Sequence, residues 1–185
     1  MIVNHNQKKD IIFKEEYRVC SIDPALNHFA FRIEKRTKTR IMTEVFECFS
    51  FNVSDNSGIF LEVKNFLDKY REYFRYVDIV VIEKQLPKNF IAQRISIICI
   101  SYFILICPDI PFIYEVDPRL KRLILDKGNI KKKSIEKAEE ILLKYQDHVG
   151  YETLKNFKKK DDLSDTVCQV EALFKKLNIF PEDIK

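Results

Sequence analysis

The stretch from residue 77 to residue 83, Val-Asp-Ile-Val-Val-Ile-Glu, is an almost continuous run of β-branched side chains. Such a run is typical of a central strand that other elements cover on both faces. Alternating apolar residues predict three antiparallel strands before it, at residues 17–23, 27–35 and 41–51, and a fifth strand follows at residues 111–116. The sequence therefore predicts a mixed sheet of five strands.

Helices are predicted between and after these strands, because apolar residues recur there at helical spacing. They cover residues 59–73, 89–107, 130–142 and 161–177. Alternation of helices with the later strands indicates a single α/β domain, which suits a chain of 185 residues. Residues 1–15 are polar and charged, so we expect a flexible N-terminal arm ahead of a domain at residues 16–180.

Cysteine, histidine and glycine usage limits the possible cofactors and compartments. The five cysteines form no Cys-x-x-Cys pair and the three histidines are isolated in the sequence, so no zinc site is predicted. Free thiols without a signal peptide favour a reducing, intracellular compartment. The apolar stretch at residues 95–107 is shorter than the roughly 20 residues that span a bilayer, which favours a buried helix and no membrane partner. No phosphate-binding loop motif occurs, so no small-molecule cofactor is expected.

Four acidic residues occupy positions where a metal site could form. Asp23 and Glu83 each end a predicted strand, and Asp162 and Asp165 lie three residues apart at the start of the last helix. Carboxylates gathered closely raise one another's pKa unless a cation offsets their charge. Their hard oxygen ligands suit Mg²⁺, with Mn²⁺ able to replace it. Two such ions can activate a water and stabilise the leaving oxygen of a phosphodiester, with Asp23 as a plausible bridging ligand, so the pattern indicates a nuclease.

Lysines flank these acids and could hold the backbone of a nucleic acid. The formal net charge of the chain is +4, and metal-bound acids would leave the remaining surface more basic. The candidate nucleic-acid contacts are Lys84, Lys131, Lys133, Lys158, Lys159 and Lys160.

Three motifs resemble those of a known family. Ser-Ile-Asp-Pro at 21–24, Val-Ile-Glu-Lys-Gln at 81–85 and Lys-Asp-Asp-Leu-Ser-Asp at 160–165 resemble the acidic motifs of RuvC-type Holliday junction resolvases. These enzymes belong to the RNase H-like, or retroviral-integrase, superfamily. The similarity is greatest to the resolvases of poxviruses and other large DNA viruses, which also have a Lys-Lys-x-Ser-(Val/Ile) helix start.

The resemblance implies an RNase H-like nuclease domain that forms an Mg²⁺-dependent homodimer and makes paired nicks in branched DNA. Asp23, Glu83, Asp162 and Asp165 would be the catalytic metal ligands, holding two ions per site. Lys132 would be the active-site lysine, with Lys133 second, and a poxvirus-like protein would act in the host cell cytoplasm. One departure concerns Ala25, where relatives have glycine: a loop needing positive φ would be strained by alanine.

Other interpretations of these residues remain open. Acids in the first turn of a helix often serve only to complement the helix dipole or to cap the helix, which is the role that we predict for Asp161. Asp23 could be a turn residue, lysine runs often form solvated faces, and the helix at residues 89–107 could be buried within one chain rather than form a dimer. The superfamily also includes nucleases that cut RNA–DNA hybrids or process RNA, and a non-catalytic nucleic-acid-binding module is a third possibility.

Overall fold

The computed structural model describes residues 14–53, 55–126 and 128–180. The arm predicted at residues 1–15 therefore lies almost entirely outside the described residues. The strands are β1 (Glu16–Asp23), β2 (Phe29–Thr37), β3 (Ile41–Phe49), β4 (Ile79–Glu83) and β5 (Phe112–Val116). They form one sheet in the order β3-β2-β1-β4-β5. The first three strands are antiparallel, and β4 and β5 are parallel to β1, which confirms the predicted mixed sheet.

Helices cover both faces of this sheet. They are α1 (Asn56–Asp68), α2 (Arg71–Phe74), α3 (Phe90–Ile106), a 3₁₀ helix (Pro118–Leu123), α4 (Ile130–Lys144), α5 (His148–Asn156) and α6 (Lys160–Leu177). Ile22 and Ile82 pack in the core beneath α1 and α3, whereas Val19 and Val81 pack beneath α6. The result is a three-layer α/β/α arrangement with the central strands buried on both sides.

Several predicted elements differ from the observed ones. The helix predicted at residues 59–73 is two helices, because the chain turns between α1 and α2. The 3₁₀ helix and α5 were not predicted, since both are short and carry few apolar residues at regular spacing. Contrary to the prediction, Asp161 is not the N-cap of the last helix, because Lys159 occupies that position; Asp161 does lie in the first turn of α6, where an acid favours the helix dipole.

Helix α3 is apolar on both its buried and its outer sides. Ile95, Cys99 and Phe103 are buried against the sheet. Phe90, Ile97 and Leu105 are exposed, with 61% of the Ile97 surface open to solvent. The helix is therefore not wholly buried within the chain. Within the described residues, no helix is long and apolar enough to cross a membrane.

A buried ion-pair cluster attaches α5 to the sheet. The Arg32 side chain is fully buried, forms an ion pair with Glu34, and lies 3.2 Å from Asp147. Asp147 also accepts hydrogen bonds from the Thr43 hydroxyl and from the backbone N–H of Gly150 at the start of α5. Burial is the main reason that the pKa of Arg32 falls to about 10.

Candidate active site

Asp23 and Glu83 lie side by side because their strands are parallel neighbours. The register of β1 and β4 pairs Ile22 with Ile82, so the next residue of each strand reaches the same edge of the sheet. Side chains along a strand alternate between the two faces of the sheet. Asp23 lies an even number of residues after Val19, which packs beneath α6, so Asp23 is on the same face. Glu83 is likewise on the face of Val81, and both carboxylates point towards the α6 layer. The strand-end pattern in the sequence therefore predicted this pair.

Helix α6 is fixed to β1 by a buried hydrogen-bond network next to the acids. The Ser21 hydroxyl donates to the carbonyl of Thr166, at 2.9 Å. The Gln169 amide donates to the Ser21 hydroxyl at 2.6 Å and to the carbonyl of Ile22 at 3.1 Å. The side chains in this network are all buried. The network therefore fixes the rotation of α6 about its own axis and its position relative to the end of β1. Asp165, directly before Thr166, is thereby brought to Asp23.

Asp23, Glu83 and Asp165 form a cluster of three carboxylates. Each offers an oxygen atom, and these atoms lie within 4.8 Å of one another. Burial, followed by the charges of Glu83 and Asp165, raises the pKa of Asp23 well above its usual value. Burial also raises the pKa of Glu83. A crowded, partly desolvated set of hard oxygen ligands fits a divalent cation such as Mg²⁺, because the cation would relieve this repulsion.

Lys121 contacts two of the three carboxylates and was not predicted from the sequence. Its ammonium lies 2.7 Å from Glu83 and 2.8 Å from Asp165, and the residue is only 5% exposed. Burial alone would lower the pKa of Lys121, but the two carboxylates outweigh it and raise the pKa. The only sequence signal was a lysine shortly after β5. It lies on the 3₁₀ helix, which Asp117 caps by accepting a hydrogen bond from the backbone N–H of Arg119.

Lys132, which the resemblance assigns as the active-site lysine, is not brought to these carboxylates. Its side chain is 77% exposed on the first turn of α4, with the ammonium 3.9 Å from Glu136. Two neighbours on α4 contact acids of α6: the buried Ser134 hydroxyl donates to Asp165 of the cluster at 2.6 Å, and Lys131 pairs with Asp161 at 2.8 Å. The Lys-Lys-x-Ser helix start therefore reaches the site through its serine.

Asp162 stands at the edge of the cluster and faces a second group. Its charge contributes to the raised pKa of Asp23, but less than the charges of Glu83 and Asp165 do. One of its oxygens lies 2.9 Å from the ammonium of Lys159. It also lies within 4.8 Å of ligand atoms of His28 and Cys48. Burial, and then the charge of Asp162, raises the pKa of the Cys48 thiol to about 11.

Among the candidate nucleic-acid contacts, Lys131 and Lys133 lie on the first turn of α4, Lys158 to Lys160 lead into α6, and Lys84 directly follows β4. Lys84 and Lys158 are exposed. Lys133 lies 3.5 Å from Glu136, and Lys160 lies 3.4 Å from Glu139. These ion pairs are at least partly open to solvent and contribute little to stability, so their lysines remain available to a phosphate.

The loop after β1 is not strained at Ala25. Among the described residues, the non-glycine residues with positive φ are His28, Gln146 and Asn178. The expected strain at Ala25 is therefore absent, because the left-handed conformation of this loop is at His28, with φ of 67°. Gln85, shortly after β4, donates a hydrogen bond from its side-chain amide to one carboxylate oxygen of Asp23, at 3.3 Å. This bond helps to fix the orientation of the carboxylate.

Three solved structures share this fold. The yeast mitochondrial Holliday junction resolvase Ydc2 has a TM-score of 0.70 and 11% identity, over 91% of this chain and 84% of Ydc2. The fowlpox virus resolvase, solved with a Holliday junction, has a TM-score of 0.61 and 17% identity, over 85% of this chain and 99% of the resolvase chain. The RuvC protein of T. thermophilus, also solved with a junction, has a TM-score of 0.56 and 12% identity, over 88% of this chain and 97% of the RuvC chain.

No family model matches the sequence, and no curated protein matches it significantly. At 11–17% identity, the structural matches establish the fold of the chain. The chain has the RNase H-like fold of the Holliday junction resolvases. The resemblance seen in the three acidic motifs thus extends to the arrangement of strands and helices.

Proposed function

We propose that this protein is a divalent-metal-dependent endodeoxyribonuclease that resolves four-way and other branched DNA junctions by paired phosphodiester hydrolysis. The observation that carries the proposal is the cluster of Asp23, Glu83 and Asp165, with oxygens within 4.8 Å, at the strand ends of a fold shared with resolvases. Two of the structural neighbours were solved with junction DNA, which supports DNA of this kind as the substrate.

Each residue of the site has a role in this proposal. Asp23, Glu83 and Asp165 would hold the metal, with Asp162 completing the set from the first turn of α6. Bound Mg²⁺ or Mn²⁺, two ions per site, would supply a water activated for attack and charge stabilisation at the scissile phosphate. Lys121 balances the charge of Glu83 and Asp165, and Gln85 and Ser134 orient one oxygen each of Asp23 and Asp165.

The basic residues around the cluster would position the DNA. Lys84 follows Glu83, and Lys158 to Lys160 lead into Asp162, so the phosphate contacts border the cutting site. Contacts to phosphates position a nucleic acid without reading its sequence, which suits an enzyme selective for branched structure. Lys132, exposed on α4, would belong to this surface.

A homodimer completes the proposal. A four-way junction presents two strands for symmetric cutting, and a two-fold enzyme matches that symmetry. The outer side of α3 supplies an apolar surface at Phe90, Ile97 and Leu105, which is the kind of surface that a second copy of the chain would cover.

Two other functions compete with this one, because fold alone does not fix the substrate. They are a nuclease that cuts RNA–DNA hybrids or processes RNA, and a binding module without catalysis. The deciding experiment incubates the protein with a four-way junction, a linear duplex and an RNA–DNA hybrid, each with and without Mg²⁺. We expect paired, Mg²⁺-dependent nicks in the junction alone. Preferential cutting of the hybrid, or binding of the junction without cleavage in either metal condition, would overturn the proposal.

A further inference from the structure

A second group of possible metal ligands lies beside the acidic cluster. His28, Cys48 and Asp162 each offer one ligand atom, and the nitrogen, sulfur and oxygen lie within 4.8 Å of one another. The sequence indicated no zinc site, because these residues are far apart along the chain and none is part of a ligand motif. The folded chain brings together three ligand types that zinc commonly uses.

The sheet explains how these residues meet. Cys48 on β3 is paired with Ala30 on β2, and the His28 backbone N–H, two residues before Ala30, bonds to the Ser50 hydroxyl at 3.2 Å. His28, directly before β2, therefore lies diagonally opposite Cys48 on the neighbouring strand β3, close enough for the two side chains to approach each other. Asp162 reaches these two residues from the first turn of α6. The hydrogen-bond network of Ser21 and Gln169 fixes the position of that helix.

The ligand set favours a soft or borderline cation over Mg²⁺. Zn²⁺ binds thiolate and imidazole, whereas Mg²⁺ prefers oxygen and keeps most of its water. All three residues are half-buried, so three protein ligands would hold the ion while a water takes the fourth position. The ammonium now 2.9 Å from Asp162 belongs to Lys159, whose side chain is 42% exposed and free to turn into solvent.

We propose that His28, Cys48 and Asp162 form a site for a thiophilic divalent cation, with zinc as the preferred ion. Occupation of this site engages the Asp162 carboxylate and withdraws it from the neighbouring acidic cluster. Zinc bound here would then inhibit the metal-dependent cleavage; this second clause rests on the proposed nuclease function, whereas the binding site does not.

The binding test uses Co²⁺ as a spectroscopic probe for Zn²⁺ on the full chain. A cobalt–thiolate bond gives a charge-transfer band in the near ultraviolet that a carboxylate site lacks. We expect wild type to show this band at one equivalent of Co²⁺, and Zn²⁺ to remove it by competition. Cys48→Ser should abolish the band, and the matched control Cys107→Ser, a half-buried free thiol at the end of α3, should retain it.

His28→Asn supplies a second variant in case Cys48→Ser folds poorly. Asparagine tolerates the positive φ at this position, so the backbone is preserved while the imidazole ligand is lost. Because changes even to residues behind the ligands cost about 10–100-fold in metal affinity, we expect Zn²⁺ binding to weaken at least about 100-fold. A wild type without the band, or a band that survives in Cys48→Ser, would overturn the site.

The inhibition clause has its own readout. Junction cleavage in Mg²⁺ is measured against increasing Zn²⁺ for wild type and for Cys48→Ser, which lies outside the acidic cluster. We expect the Zn²⁺ concentration for half inhibition to rise at least about tenfold in the variant. Equal sensitivity of the two proteins would refute inhibition through this site. A wild type that never cuts would refute the nuclease proposal, while the cobalt band would still report on the site.

Discussion

The Gln169 amide donates a hydrogen bond to the main-chain carbonyl of Ile22, the residue directly before Asp23. This contact joins the middle of α6 to the end of β1. It therefore fixes the position of the helix that carries Asp165 relative to the strand that carries Asp23. Positioning therefore comes from a residue that does not touch the carboxylate oxygens of Asp23 and Asp165. Such supporting contacts matter because a misplacement of about 1 Å costs about 100-fold in rate.

Gln169→Met should keep the volume of the side chain and remove both of its hydrogen bonds. We expect junction cleavage to fall by about 100-fold. The free energy of unfolding should fall by about 1–3 kcal/mol, because the Ile22 carbonyl and Ser21 hydroxyl lose a buried partner. Single-turnover cleavage and urea unfolding measure the two effects. A fully active, destabilised variant would show that the network is structural only.

Removing a single carboxylate charge from the acidic cluster, or from Asp162 at its edge, should abolish most activity. Asp23→Asn, Glu83→Gln, Asp162→Asn and Asp165→Asn each keep the shape of the side chain and remove a hard ligand. We expect cleavage to fall about 100–1000-fold, while the junction affinity in gel shift remains close to wild type. Near wild-type cutting by two or more of these variants would refute the assignment of the site.

Asp23→Asn should also stabilise the metal-free protein. The pKa of Asp23 is raised in the folded state, so the folded chain binds more protons than the unfolded chain above pH 3.8. Stability is therefore lost as pH rises from that value through the raised pKa, and the variant avoids this loss. We expect its melting temperature in EDTA to exceed that of wild type at pH 7, with the difference shrinking towards pH 4. A lower melting temperature than wild type at pH 7 would contradict the prediction.

A comparison of Lys121 and Lys132 separates the structural assignment from the one that the resemblance implies. Lys121→Met leaves Glu83 and Asp165 without their partner, and we expect a loss of about 3 kcal/mol in unfolding free energy and about 100-fold slower cleavage. Lys132→Ala changes an exposed residue and should alter stability by less than about 0.5 kcal/mol. If Lys132→Ala slows cleavage without weakening junction binding, and Lys121→Met does not, Lys132 is the active-site lysine.

The outer side of α3 should hold the homodimer together. Ile97→Glu places a charge on this apolar surface, and we expect the dimer to dissociate and the two nicks to become uncoupled. Val149→Glu, at an exposed position on α5, is the matched control and should remain dimeric. Light scattering at micromolar concentration measures the mass. A wild-type mass near 22.1 kDa would show that the protein is a monomer.

The sequence predicted the sheet and the acids because both depend on local pattern. Strand-end acids on parallel neighbours must lie together, so Asp23 and Glu83 followed from two apolar runs. Lys121 did not follow, because its position in the site depends on the packing of the 3₁₀ helix against α6. His28 and Cys48 were also unpredictable as a group, since only the β2–β3 register and the placement of α6 join them. Long-range contacts of this kind leave no periodic signal.

The position of Lys121 has a consequence for how the proposed metal site would be filled. Many small metal proteins remain unfolded until their ion arrives, because binding of the ion supplies their folding free energy. Here an internal ammonium already bridges two of the carboxylates. In a nuclease of the proposed kind, folding and metal uptake would then be separate events, and the chain would persist as a folded but inactive molecule when divalent ions are scarce. Activation would be an exchange of partners at two carboxylates rather than the assembly of a fold.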